Sequence, residues 1–161
     1  MLFNKKEANI LVVDEDQKMA DNLVEYLTES GYRASAAYGG SEALARFEQG
    51  DFQLVITELK MPEMDGMELL EEMKKLDSDV NIIVLTGFGT IESAVQAIKG
   101  GAYDYITKPI EFEEIELVVN RAMEKYTIFS QMHRFRRMFF FVLFSIAFCI
   151  LLGVLLISAW K

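Results

Sequence analysis

The chain has 161 residues, enough for one compact domain plus an appendage, with 52% hydrophobic side chains and a formal net charge of −9. All 25 acidic residues precede Phe129, so residues 1–128 carry 12 basic and 25 acidic side chains, a net −13. Such a surface argues against phosphate-backbone recognition, which needs clustered cations. The lone cysteine, Cys149, cannot form an internal disulfide, and MLFNKKEANI lacks the long apolar core of a signal peptide.

In chain order, the apolar run Ile10–Val13 predicts a first strand. Gln17–Glu29 follows as a helix, with Met19, Leu23, Tyr26 and Leu27 at helical spacing and Asp16 as its cap. Arg33–Ala37 is a weak second strand, and Ser41–Gln49 a helix turning Ala43, Leu44 and Phe47 inward. Phe52–Thr57 is β-branched and strand-like; Gly66–Leu76 is helical, with Asp65 as a turn and cap residue. Asn81–Thr86 predicts a fourth strand, Ile91–Lys99 a short helix stopped at Gly100 and Gly101, and Tyr103–Thr107 a fifth strand. A last helix begins near Glu113.

Five strand–helix pairs at this spacing predict an α/β fold: a five-stranded parallel sheet, doubly wound, with helices on both faces. Functional groups in such sheets gather at the carboxyl ends of the strands. There the sequence places Asp14, Glu15 and Asp16 after strand one, Glu58 after strand three, Thr86 after strand four and Lys108 after strand five. Oxygen ligands of this kind suit Mg²⁺, and a lysine with a hydroxyl can hold phosphoryl oxygens.

The last helix has two readings. Ile115, Val119, Ala122, Tyr126, Phe129, His133 and Arg136 form a stripe that either packs on the sheet or makes a dimer seam. From Met138 to Trp160 there is no charged side chain. As a helix this run would be about 35 Å long, enough for a hydrocarbon core of about 30 Å. Arg134, Arg136 and Arg137 precede it and only Lys161 follows. The positive-inside rule then predicts a single-pass inner-membrane protein with residues 1–126 in the bacterial cytoplasm, a basic juxtamembrane linker over 127–137 and a transmembrane helix over 138–160. Trp160 sits where an interfacial anchor belongs. His133 reads as a solvated juxtamembrane residue.

The segments ILVVDED, LVITELKMPEMDG, VLTGFGT and GAYDYITKP resemble those of two-component response-regulator receiver domains, in order and spacing, over residues 8–126. The second half looks most like receivers of the nitrogen-regulatory class, which normally continue into an ATPase and a DNA-binding domain. The expectation here is a flavodoxin-like (βα)5 module without such an output domain, not an enzyme; a phosphatase or other Mg²⁺-dependent hydrolase on a similar sheet would need a substrate cap. The resemblance implies that Asp14 and Glu15 organise Mg²⁺ together with Glu58 and the backbone carbonyl of Lys60. It implies that Thr86 contacts the phosphoryl group and moves in the switch, that Lys108 pairs with phosphate and forms a cis bond with Pro109, and that Tyr105 is the aromatic switch. The implied partners are a histidine kinase, another two-component protein, or a second copy through the fourth helix, fifth strand and fifth helix.

Glu58 departs from the family pattern, which has an aspartate at this position as phosphoryl acceptor. The extra methylene displaces the nucleophile by about 1.5 Å, and misplacement of about 1 Å can cost on the order of 100-fold in rate. Three readings stay open. Glu58 partly imitates the phosphorylated state; or the receiver surface alone matters, as in a phosphorylation-independent adaptor; or Glu58 or a neighbour still accepts phosphate slowly, or the substitution is a recent or introduced change.

Overall fold

The computed structural model describes residues 4–126. The expected juxtamembrane linker and transmembrane helix, with Arg134, Arg136, Arg137, Met138, Cys149 and Trp160, lie outside them. Among the described residues no helix is long and apolar enough to cross a membrane.

After a 3-10 turn at Lys5–Glu7, the chain alternates β1 (Asn9–Val13), α1 (Gln17–Glu29), β2 (Arg33–Ala37), α2 (Gly40–Gln49), β3 (Leu54–Thr57), α3 (Gly66–Leu76), β4 (Asn81–Thr86), α4 (Ile91–Lys99) and β5 (Asp104–Thr107). A last helix, α5, runs over 112–126, to the end of the described residues. The strands form one parallel sheet in the order β2-β1-β3-β4-β5. Strand order reverses at β1, which opens a crevice at the carboxyl ends of β1 and β3.

Period-two alternation divides the core between the sheet's faces. Ile10, Val12, Leu54, Ile56, Ile83 and Leu85 pack with α1 and α5. Leu11, Val13, Val55, Ile82 and Val84 pack with α2, α3 and α4. Both faces being buried explains why these strands read as continuous apolar runs. Within α5, Ile115, Val119 and Ala122 are fully buried against the sheet. Over the described residues the stripe is therefore core packing, which corrects the seam reading there.

Four elements differ from the sequence expectation: β1 and α2 each begin one residue earlier, at Asn9 and Gly40, and two others begin later. The third strand begins at Leu54 rather than Phe52, because the Phe52 ring stacks on Phe47 of α2, with centroids 6.4 Å apart. The next side chain, Gln53, accepts from the Asn9 amide and donates to the Asp51 carbonyl. The fifth strand starts at Asp104, one residue late.

Helix ends follow their caps. Asp16 Oδ1 accepts from the Met19 amide. Asp65 and Glu68 form a reciprocal capping box on α3, as do Thr90 and Ser93 on α4.

Candidate functional site

The sheet ladder extends one residue past β1, β3 and β5 and fixes the site. The Asp14 amide donates to the Ala37 carbonyl, that of Glu58 to Val13, and that of Lys108 to Thr86. Three charged side chains thereby leave the ends of β1, β3 and β5 at defined heights, the first two from neighbouring strands and the third from across β4. The Lys108–Pro109 peptide bond is cis.

Lys108 Nζ donates to Asp14 Oδ2 at 2.6 Å and to Glu58 Oε2 at 3.0 Å. The other Glu58 oxygen, Oε1, accepts from the amides of Leu59 at 2.7 Å and Lys60 at 3.3 Å. Thr86 Oγ1 accepts from the Phe88 amide at 3.1 Å. Asp14 Oδ1 accepts from the Asp16 amide at 2.9 Å. Asp14 and Glu58 are each only 6% exposed, and Thr86 is fully buried. Burial alone raises the Glu58 carboxyl; the neighbouring Thr86 hydroxyl, the hydrogen bond and charge of Lys108 and the Leu59 amide outweigh it and hold the group below the usual carboxylate range. For Lys108, burial disfavours the ammonium, but its bonds to Asp14 and Glu58 prevail and its pKa is raised.

Among the residues expected at this site, Asp14, Glu58, Thr86 and Lys108 are brought together. Glu15 is exposed. Among the described residues no group of three or more His, Cys, Asp or Glu side chains stands ready for a metal ion. The oxygen donors present suit Mg²⁺ chemically, but the two buried carboxylates already share an internal cation, Lys108. A divalent ion would have to compete with it, so the donor set fits Mg²⁺ as a weak ligand. Lys60 is exposed, and its ammonium lies 5.1 Å from the centre of the Phe88 ring. Tyr105 is half-buried, with its hydroxyl 2.7 Å from Ser93 Oγ.

Sequence reasoning missed three contributors. The backbone amides of Leu59 and Lys60 carry no residue-type signal. Gly66 has one in hindsight: a Cβ there would stand 2.3 Å from the Glu58 carbonyl oxygen and 2.9 Å from Leu59 Cα, so only glycine lets α3 start this close to the Glu58 loop. Ser93 sat unremarked in an exposed helix.

A family model for the response regulator receiver domain matches residues 10–120. The transcriptional regulatory protein ZraR of Salmonella typhimurium is 38% identical over 115 residues, 71% of this chain and 26% of that protein. The transcriptional regulatory protein GlrR of Escherichia coli is 35% identical over 123 residues, 76% of this chain and 28% of that protein. The chain thus spans about a quarter of the length of the curated relatives it matches. Among solved structures, a response regulator receiver domain protein from Clostridium thermocellum has a TM-score of 0.73 at 31% identity, covering 76% of this chain and 98% of that one. NtrX from Brucella abortus has a TM-score of 0.74 at 33% identity, covering 78% of this chain and 29% of that one.

Proposed function

This chain belongs to the response-regulator receiver family of two-component signalling, and on that premise we propose that it is a membrane-tethered receiver in which Glu58 stands permanently in place of a phosphorylated acceptor. The observation that carries this reading is the set of bonds around Glu58. Lys108 and the amides of Leu59 and Lys60, donors within reach of a phosphoryl group at this position, all converge on the glutamate carboxylate. The imitation is partial, since a carboxylate carries −1 and a phosphoryl group nearer −2. Filled donors and a displaced nucleophile together make phosphoryl acceptance weak or absent.

Mg²⁺, where bound, would be held by Asp14, Glu15 and Glu58 with the Lys60 carbonyl, and would neutralise charge beside the acceptor. Its affinity is low because Lys108 already balances Asp14 and Glu58. A histidine kinase or another two-component protein is the proposed partner class. The exposed apolar side chains Phe88, Ile91, Val95 and Ile98 support docking on the α4 side, where a second copy is the other candidate. That surface serves equally in the alternative reading, an adaptor whose binding never depends on phosphate. The acidic balance disfavours nucleic acid as a partner.

The tether rests on sequence. Residues 138–160 lack charge and are preceded by Arg134, Arg136 and Arg137, which supports a receiver held at the cytoplasmic face of an inner membrane. Carbonate-resistant sedimentation of the full chain with bacterial membranes, lost on truncation after residue 137, is the expected result; a chain that washes off overturns the tether.

The acceptor reading is tested by intact mass after incubating the full chain with Mg²⁺ and a small-molecule phosphodonor, beside Glu58→Asp. The account expects only Glu58→Asp to gain a phosphoryl group. Labelling of the unmodified chain at Glu58 overturns it.

A further inference from the structure

We propose that Ser93 is a positioning residue that pins Tyr105 to the first turn of α4, so that the end of β5 and the start of α4 move as one unit. The argument is one of hydrogen-bond valence and does not depend on whether Glu58 carries phosphate.

Ser93 Oγ lies 3.0 Å from the Thr90 carbonyl oxygen, 3.0 Å from the Thr90 amide nitrogen and 2.7 Å from the Tyr105 hydroxyl. A serine hydroxyl has one proton and two acceptor positions. Donating the proton to the Thr90 carbonyl leaves two lone pairs, which the Thr90 amide and the Tyr105 O–H fill. The Thr90 hydroxyl, which accepts from the Ser93 amide at 3.1 Å, is the weaker competitor for Ser93 Oγ at 3.2 Å. Tyr105 therefore completes the capping box of α4 although it belongs to β5. Its departure removes the shortest contact to the cap oxygen, and loss of the cap removes the tyrosine's partner.

The space around the ring agrees. A Cβ at Gly89 would lie 2.5 Å from Thr107 Cγ2 and 3.2 Å from the Tyr105 hydroxyl oxygen, so the loop between β4 and α4 presses on the ring through a residue with no side chain. The same short loop starts at Thr86, whose Oγ1 accepts from the Phe88 amide at 3.1 Å. Displacement of Thr86 is carried through Phe88 and Gly89 to Thr90, the other half of the box. Serine at position 93 has no role in the core: it is half-exposed on an otherwise ordinary helical turn.

The test uses the full chain in mild detergent, with 3-fluorotyrosine incorporated and amide exchange read over 90–95. Ser93→Ala and Tyr105→Phe should each speed exchange there by about fivefold, the factor for losing a cap bond of ordinary strength. The double variant should be no faster than Ser93→Ala alone. Ser93→Ala should also move the fluorine resonance assigned to Tyr105, and Ser93→Thr should return both signals toward wild type. Tyr105→Phe keeps the ring, so it remains informative even if Ser93→Ala folds poorly. Unchanged exchange in Tyr105→Phe, or a double variant equal to the product of the singles, overturns the proposal.

Discussion

Replacing Lys108 with methionine isolates what holds the site together. The change keeps an unbranched stem of similar size and removes the ammonium. In the native site the lysine side chain is 21% exposed, and those of Asp14 and Glu58 are 8% and 6% exposed. Opposite unit charges about 3 Å apart attract by about 5–6 kcal/mol at an effective dielectric of about 20, largely offset by the dehydration of all three groups. Removing the cation leaves that dehydration uncompensated on two carboxylates, which costs about 3–5 kcal/mol. For a domain of this size that lowers the Tm by on the order of 10–20 °C. The sign with pH is distinctive. Without Lys108, burial and mutual repulsion raise a carboxyl pKa in the folded state, so the folded form binds the proton more tightly and Lys108→Met should gain stability on mild acidification. Mg²⁺ should restore part of the loss and stabilise Lys108→Met more than wild type, because a divalent ion can now take the lysine's place. Circular dichroism melts across pH, with and without Mg²⁺, read all three effects. A loss below about 1 kcal/mol, the range of an exposed pair, would refute the reasoning.

The remaining predictions are narrower. The Glu58 pKa is lowered on folding, so its contribution is present above the ordinary glutamate value and lost as pH falls through the folded pKa; Glu58→Gln should flatten the acid limb of the wild-type stability curve. Gly66→Ala should destabilise by about 1–3 kcal/mol and perturb the Leu59 and Lys60 amide resonances, since its Cβ collides with the backbone of the Glu58 loop. Asp65→Ala removes the bonds to the Met67 and Glu68 amides and should cost about 1 kcal/mol in a denaturant titration, with no effect on Mg²⁺ affinity by calorimetry.

Much of the architecture was legible because it rests on periodicity. β2, β4, α1, α3 and α4 span the residues expected from apolar spacing and caps. Phe52 misled because a large apolar residue beside a strand reads as strand, whereas the ring packs sideways on Phe47. Asp14, Glu58, Thr86 and Lys108 were legible as residues at strand ends, and Glu58 as a departure from pattern. What the departure does was not, because it depends on donors with no side-chain signature: the Leu59 and Lys60 amides reach Glu58 Oε1 only through the local backbone path. Ser93 was hidden for another reason. A serine in the first turn of a helix carries no signal of its own, since a capping box usually has Glu or Gln there, and its partner Tyr105 lies on another element.

The central claim, that Glu58 holds the switch as a resident anion, is tested most directly by amide exchange over 86–99 in the full chain. Wild type is compared with Glu58→Asp before and after phosphorylation by a small-molecule donor with Mg²⁺. The account predicts a wild-type profile nearer to phosphorylated Glu58→Asp than to the unphosphorylated variant. A wild-type profile that matches unphosphorylated Glu58→Asp would contradict it and leave Glu58 as a filler of the site without effect on the surface it controls.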